Sequence, residues 1–363
     1  MKTLFILGAG ASVEAELPTS SELNKKVLEL ASQCVDDWAP VGLAIRWAYR
    51  QMLRQVDHKW EANVELLFNI LDSAAEQPRL SEAAVFSNMR RPARRANRQY
   101  MQLVNRPAPN PYAFRAEADV FRQVQRWMVD RLASWLTIQD ISAAKYAVPL
   151  LEYCQQTGSV LVTLNYDNVV ESASELSGIK VDDGMSMWTE QRQLSFADDA
   201  VPLIKLHGSL NWIELDERLD GGKKRRPTVK RESTFDRRAD RDRVLIFGGQ
   251  NKMTFRPPFP DLYTEFRRRT MEVTSVAVVG YSGADPHVNQ VLFDWAFTED
   301  NRLYSEATRY NEVYSRIFGV GPFHYHDTLD EFRARPHEVT RMNRHLKLYV
   351  HEWEREQMPH TGT

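Results

Sequence analysis

Four short apolar runs, each ending in a glycine or a polar residue, constrain the fold of this chain more than any other feature. They span residues 3–7, 160–164, 201–206 and 275–279 and consist mainly of aliphatic and β-branched residues. Such runs are typical of strands that are buried on both faces of a parallel sheet. Between the first two runs, apolar residues recur every three or four positions, which indicates helices. The sequence therefore predicts an α/β fold, a Rossmann-like parallel sheet with a large helical insertion.

The order of these patterns along the 363 residues also predicts how the chain is divided. We expect residues 1–31 to form the first strand–helix unit, 32–156 the helical insertion, 157–335 the remainder of the Rossmann-like domain, and 336–363 a C-terminal extension. Residues 216–243, rich in arginine and lysine, predict an exposed basic loop that is partly disordered. Acidic residues interleave with the basic ones, and the net charge is -2, so we do not expect direct binding to nucleic acid.

Composition excludes several other classes of protein. With 43% hydrophobic and 26% charged residues, the chain resembles a soluble globular protein. Its two cysteines, Cys34 and Cys154, are too few for a disulfide framework or a four-cysteine zinc site. No run is long enough to cross a bilayer, and the first apolar run is shorter than that of a signal peptide. We expect a cytoplasmic protein without a metal and without membrane contact.

The first strand is followed by Gly8-Ala9-Gly10-Ala11-Ser12. A Gly-x-Gly turn between a strand and a helix is the phosphate-binding turn of dinucleotide folds, because glycine lets the backbone approach a pyrophosphate. Val13 stands where the full motif has its third glycine. An ordinary glycine turn is therefore the alternative.

The other three runs end in groups that can do chemistry. Asn165 and Asp167 follow the second run, His207 follows the third, and Gly280 and Ser282 follow the fourth. Ligands of open α/β sheets bind outside the carboxyl ends of the strands, so we expect one shared cleft. There the histidine can serve as general base, while the last loop can hold a ribose or phosphate. The alternatives are that Asn165 and Asp167 only cap the next helix, and that His207 is a buried structural histidine.

Together the four stretches resemble the sirtuin-like family. Residues 8–12 resemble its glycine-alanine-glycine loop, residues 163–167 its threonine-x-asparagine-x-aspartate motif, residues 207–208 its catalytic histidine-glycine pair, and residues 280–282 its glycine-x-serine loop. The chain has no CxxC pair for a zinc ribbon, and Leu164 replaces the usual glutamine. Both departures argue against protein deacylation.

The chain also resembles the sirtuin-like domains of bacterial antiphage defence systems at three further places: residues 17–19, Lys205 and Asp285. Members of that group cleave NAD to nicotinamide and ADP-ribose and so starve the infected cell. The resemblance implies an NAD glycohydrolase with NAD as its substrate and no metal. By analogy it also implies a neighbouring HerA-type ATPase or short Argonaute as partner. The aromatic- and arginine-rich helices favour a homo-oligomer.

The resemblance also assigns residues to roles. Catalysis falls to Asn165, which orients ribose and water, to His207 as general base, and to Asp167, which orders the nicotinamide side or positions Asn165. The residues expected to bind NAD are Gly8, Ala9, Gly10 and Ser12 at the pyrophosphate, Gly280, Ser282 and Asp285 near the adenosine ribose, and Thr19. Two alternatives remain open: an NAD-dependent ADP-ribosyl or deacylase-type transferase, and a module that senses NAD or ADP-ribose.

Overall fold

The computed structural model describes residues 2–34, 39–56, 63–76, 117–219, 224–232, 243–245, 257–296 and 301–306. Within these ranges the strands are β1 (Leu4–Leu7), β2 (Val160–Thr163), β3 (Val181–Asp182), β4 (Val201–Lys205), β5 (Gly208–Leu219), β6 (Lys224–Arg231), β7 (Arg243–Leu245), β8 (Ser275–Val279) and β9 (Arg302–Glu306). The predicted C-terminal extension at 336–363 lies outside the described residues.

The α-helices of the described ranges are α1 (Ser20–Gln33), α2 (Ala39–Met52), α3 (Val64–Glu76), α4 (Glu117–Leu136), α5 (Val148–Thr157), α6 (Val169–Ser177), α7 (Trp188–Gln191), α8 (Phe259–Met271) and α9 (Pro286–Ala296). Two 3-10 helices, Ala9–Ala15 and Ile141–Ala147, follow β1 and precede α5. No helix within the described ranges combines the length and apolarity needed to cross a lipid bilayer.

Six strands form a parallel sheet in the order β3-β4-β2-β1-β8-β9. The chain leaves β1 toward β2 on one side and later returns to β8 on the other, so the connections diverge at β1. This is the switch point at which open α/β sheets bind their ligands. The predicted α/β fold with a Rossmann-like parallel sheet is confirmed, and all four predicted runs form its strands.

Both faces of the sheet are covered by helices. Leu4 and Ile6 of β1 pack in one apolar cluster with α8 and α9. Phe5 and Leu7 point the other way, into a second cluster with α5 and α6. Side chains alternate between the faces of a strand, so burial of both faces requires the unbroken apolar runs seen in the sequence.

A third apolar cluster joins helices α1 to α4. Helix α1 starts in a capping box, in which the Thr19 hydroxyl accepts a hydrogen bond from the Glu22 backbone N–H and Glu22 bonds back to the Thr19 N–H. Its apolar residues Leu23 and Val27 pack in this helical cluster. The described part of residues 32–156 is mainly helical, and the division into domains stays a prediction.

The expectation of a loop at residues 216–243 is wrong for residues 216–219 and 224–231. These residues belong to β5 and β6, which form an antiparallel ribbon that β7 extends to a three-stranded sheet. The low hydrophobicity of these residues suggested a loop. A two-stranded ribbon can nevertheless form from them, because its strands pair through backbone hydrogen bonds that do not depend on the side chains. A few residues, among them Trp212 and Val229, anchor the ribbon in the apolar cluster of α8 and α9.

Candidate functional site

Of the three residues predicted for catalysis, Asn165 and His207 lie just after the ends of neighbouring strands. In the register of the sheet, Thr163 of β2 pairs with Lys205 of β4. Asn165 and His207 each follow that pair by two positions in parallel strands. The carboxamide and the imidazole therefore belong to the same edge of the sheet, on adjacent strands.

Two glycine loops meet at the same edge, between β1 and β8. Leu7 pairs with Val279, and the Gly10 N–H donates to the Gly280 carbonyl at 3.0 Å. A Cβ on Gly8 would lie 2.5 Å from the Gly280 oxygen, and one on Gly280 would lie 2.2 Å from the Ala11 nitrogen. The backbones are thus in direct contact, and this contact excludes any side chain at either glycine. Gly10 itself is exposed.

The first glycine loop runs directly into a 3-10 helix, Ala9–Ala15, which includes Gly10, whereas the dinucleotide motif has an α-helix after its loop. A hydrogen bond from the Tyr146 hydroxyl to the Ala11 carbonyl, at 2.7 Å, holds this segment. The backbone near Gly10 thus has a fixed conformation at the exposed end of the loop.

Asn165 is fixed by a chain of hydrogen bonds to Asp167. Its Nδ2 donates to the Gly8 carbonyl at 2.9 Å and to the Ser12 hydroxyl at 3.0 Å. The Ser12 hydroxyl donates in turn to Asp167 Oδ2 at 2.7 Å. Both amide hydrogens of Asn165 are engaged within the protein, so a hydrogen bond to a ligand must be accepted by Oδ1.

Asp167 is buried behind this chain. Its Oδ1 accepts the backbone N–H of Val169 at 3.1 Å, at the start of α6. The alternative that Asp167 caps the next helix therefore holds for its Oδ1. Its Oδ2 instead accepts the hydrogen bond from Ser12. Burial raises the pKa of Asp167, while the hydrogen bond from Ser12 and the charge of Lys205 oppose that rise.

His207 takes part in a second buried network. Its Nε2 lies 2.8 Å from Asp285 Oδ2, and the two side chains are each 2% exposed. The Tyr263 hydroxyl donates to the same carboxylate oxygen at 3.2 Å. The backbone N–H of His287 donates to the other oxygen, Oδ1, at 2.9 Å. In the sheet β2 and β1 lie between β4 and β8, so this hydrogen-bonded pair reaches across the carboxyl edge.

Helices α1 to α4, which together form a helical layer, also place a side chain near the histidine. Glu65, in the first turn of α3, places Oε1 at 3.9 Å from His207 Nδ1. The Tyr166 ring lies 6.1 Å from the imidazole, between centroids. Burial raises the pKa of Tyr166 and of Tyr263 well above the usual range, so both phenols are neutral at physiological pH.

A cavity adjoins the Asn165 end of the site. Its wall is apolar where Leu7, Leu150 and Val170 line it, and polar where Ser12 and Asp167 do. Its volume is only about 10 Å³, room for a single water molecule at most, so it is an internal void and cannot hold a nucleotide.

The structure groups most of the predicted site residues into two networks. One contains Gly8, Ser12, Asn165 and Asp167, and the other contains His207 and Asp285. The other predicted residues, Ala9, Gly10, Gly280, Ser282 and Thr19, lie in the loops after β1 and β8 and at the start of α1.

Two of the residues predicted to bind NAD make side-chain contacts within the protein. The Thr19 hydroxyl is engaged with Glu22 in the capping box, and the Asp285 carboxylate contacts His207. The proposed contacts of both residues with NAD stay predictions. In the described part of the chain, no group of three or more His, Cys, Asp or Glu is placed to hold a metal ion.

Sequence reasoning missed Glu65 and Tyr263, which lie in amphipathic helices whose patterns carry no sign of a site. It noted Lys205 only through the family resemblance. That side chain is 1% exposed and donates to the Asp167 carbonyl at 3.0 Å and to Glu171 Oε1 at 2.6 Å. A lysine beside an otherwise apolar strand run was the available signal, because a buried ammonium needs partners.

Comparison with known proteins places this site in a family context. Residues 159–314 match the family model of the SIR2-like domain. Over this range the chain is similar to SIR2-like domains. The matched range contains Asn165, Asp167, His207, Gly280 and the residues between them, whereas the loop at 8–12 precedes it.

Three solved structures are similar over most of the chain. A serine-to-alanine variant of a Sir2 homologue in complex with ADP-ribose is 12% identical, with a TM-score of 0.39 and coverage of 94% of this chain and 95% of that chain. A phenylalanine-to-alanine variant in complex with ADP-ribose is 13% identical, with a TM-score of 0.33 and the coverages 94% and 95%. A Sir2 homologue–NAD complex is 14% identical, with a TM-score of 0.34 and coverages of 93% and 91%. No curated protein matches the sequence.

Proposed function

We propose that this protein is an NAD glycohydrolase that cleaves NAD to nicotinamide and ADP-ribose. We propose further that it is the effector of a bacterial antiphage defence system and acts by depleting NAD. The observation that carries the proposal is the position of Asn165 and His207 at the carboxyl ends of adjacent strands, beside the paired glycine loops. The match of residues 159–314 to the SIR2-like domain also supports it.

The chemistry needs little from the protein beyond positioning. The bond between ribose C1′ and the nicotinamide nitrogen breaks through an oxocarbenium-like state, as in other glycosidic cleavages. Nicotinamide leaves with the electron pair and becomes neutral, so no strong general acid is required. A water oxygen bonds to C1′ and gives up a proton, for which His207 is the base.

The contacts of Asn165 suggest how it takes part. Since its amide hydrogens are held by Gly8 and Ser12, its Oδ1 accepts a hydrogen bond from the water or from a ribose hydroxyl. In this proposal Asp167 and Ser12 position Asn165, which agrees with one of the two roles predicted for Asp167. The glycine loops at 8–10 and 280–282 meet the pyrophosphate and the adenosine ribose through their backbone.

The test is nicotinamide release from NAD by the purified full chain, alone and together with the product of a neighbouring gene. We expect His207→Gln and Asn165→Ala each to lose turnover by about 10²-fold or more while remaining folded. Gln290→Ala, which removes an exposed amide from α9, is the matched control and should keep full activity. Full turnover by either site variant would contradict the mechanism.

The same assay separates the other functions. Label from NAD that appears on protein would indicate an ADP-ribosyl transferase, and tight binding without cleavage would indicate a sensing module. For the defence role, cells that carry the wild-type gene should lose NAD during phage infection, whereas cells with His207→Gln should not. A homo-oligomer and a HerA-type ATPase or short Argonaute partner stay predictions, which size measurement and co-purification test.

A further inference from the structure

The buried contact between His207 and Asp285 bears on which nitrogen of the imidazole carries a proton and which can accept one. We propose that Asp285 is a positioning residue that fixes the tautomer of His207, so that Nε2 carries the proton and Nδ1 accepts one. This inference rests on the proposed function only where it concerns catalysis. It replaces the adenosine-ribose contact predicted for Asp285 by a role in orienting the base.

The imidazole of His207 and the carboxylate of Asp285 are in direct contact. His207 Nε2 lies 2.8 Å from Asp285 Oδ2, and both side chains are 2% exposed. An ionised carboxylate only accepts hydrogen bonds, so the nitrogen that faces it carries a hydrogen. In the neutral imidazole the other nitrogen, Nδ1, is then the one that can accept a proton.

The carboxylate of Asp285 is held in place by other hydrogen bonds. Its Oδ1 accepts the backbone N–H groups of His287 at 2.9 Å and of Val288 at 3.4 Å, which caps α9. Its own N–H donates to the Tyr281 hydroxyl at 2.9 Å. Because the carboxylate is fixed at one oxygen by the cap, the other oxygen stays directed at the imidazole, and the Tyr263 hydroxyl bonds to that oxygen as well.

The other imidazole nitrogen, Nδ1, faces away from Asp285. Nδ1 of His207 lies on the side of α3, 3.9 Å from Glu65 Oε1. A ribose hydroxyl or water that gives its proton to His207 must therefore approach from the side of Nδ1, between the sheet edge and the helical layer. No part of this arrangement requires the Asp285 carboxylate to touch the substrate.

Replacement of Asp285 by asparagine tests this geometry without loss of the cap. The Asn carbonyl oxygen can keep the hydrogen bonds to His287 and Val288, since asparagine is as good a cap as aspartate. Its NH₂ group then faces His207 Nε2, so donor meets donor unless the imidazole adopts the other tautomer. In a Ser-His-Asp triad the same exchange forces the wrong tautomer and lowers kcat by about 10⁴-fold.

The kinetic experiment compares Asp285→Asn with wild type in the nicotinamide-release assay. We expect kcat to fall by about 10²- to 10⁴-fold, with KM for NAD changed by less than about threefold. Asp294→Asn, the same exchange at a partly exposed carboxylate of α9, should leave both constants unchanged. A rise in KM with kcat preserved would show a contact with substrate and overturn the proposal.

The spectroscopic experiment does not need turnover. Long-range ¹H–¹⁵N correlation spectra of the imidazoles report which ring nitrogen carries the hydrogen, and the His207→Gln variant assigns the signal. Wild type should show His207 protonated at Nε2, and Asp285→Asn should show it protonated at Nδ1. An Nδ1–H tautomer in wild type would overturn the proposal even if the variant failed to fold. Absence of NAD cleavage by wild type would instead refute the proposed function and leave this test intact.

Discussion

The contact between the two glycine loops makes a strong prediction about Gly280→Ala. Gly280 has φ of +62°, and an added Cβ would lie 2.2 Å from the Ala11 nitrogen and 2.5 Å from the Gly10 Cα. Ordinary contacts begin at 3.4 Å, so the loops after β1 and β8 would have to separate by more than an ångström. Both loops continue directly from central strands, which leaves the backbone little freedom to move.

The expected loss of stability has two parts. A non-glycine residue with left-handed φ costs about 1 kcal/mol. An extra carbon forced into a packed region costs about 1–3 kcal/mol more through displacement of its neighbours. We therefore expect Gly280→Ala to lower the free energy of unfolding by about 3 kcal/mol. Since the displaced backbone belongs to the predicted phosphate-binding loop, NAD binding should weaken too.

The matched control is Gly158→Ala, at the end of α5. Its φ is +66°, but a Cβ there meets no atom of the described chain within 4 Å. This variant carries the conformational cost alone, about 1 kcal/mol. Urea unfolding of both variants at one pH, together with calorimetric titration of NAD, separates the two terms. Equal losses of stability in the two variants would refute the close approach of the loops.

Two further predictions concern the groups behind Asn165. Lys205→Met should cost about 3 kcal/mol in urea unfolding, because it leaves Glu171, whose side chain is 27% exposed, without its cation. Lys180→Met, at a surface ion pair, is the control and should change stability little. Burial raises the pKa of Asp167, so relative to Asp167→Asn the wild type should lose stability as pH rises from about 4 through the folded-state pKa. Unfolding midpoints of both proteins over a pH series measure this, and a wild type that gains stability relative to Asp167→Asn as pH rises would contradict it.

Sequence predicted the sheet well because its strands carry a strong local signal. β1, β2, β4 and β8 are buried on both faces, so each is an apolar run, and each ends where the backbone turns at Gly8, Asn165, His207 or Gly280. The rule that ligands bind at carboxyl ends then located the candidate residues at one edge. The order of the strands in the sheet had no such local signal in the sequence, because it depends on which face of the sheet each connecting helix covers.

Partners across the site were not predictable for the same reason. His207 and Asp285 are 78 residues apart, and Glu65 comes from a helix whose sequence shows only amphipathic spacing. Whether these three side chains meet depends on how whole helices and strands pack, and no local sequence pattern encodes that packing. The ribbon of β5 and β6 was missed because backbone pairing does not need apolar side chains.

The sharing of Tyr166 between two parts of the molecule has a practical consequence. Tyr166 lies between Asn165 and Asp167, yet its ring is a member of the apolar cluster of α1 to α4. Excision of the helices would thus expose an aromatic ring at the centre of the site and remove Glu65 from the histidine. We therefore expect a fragment without helices α1 to α4 to lose the arrangement of side chains around His207. A partner that bound these helices would contact the layer that packs on Tyr166 and places Glu65 beside His207.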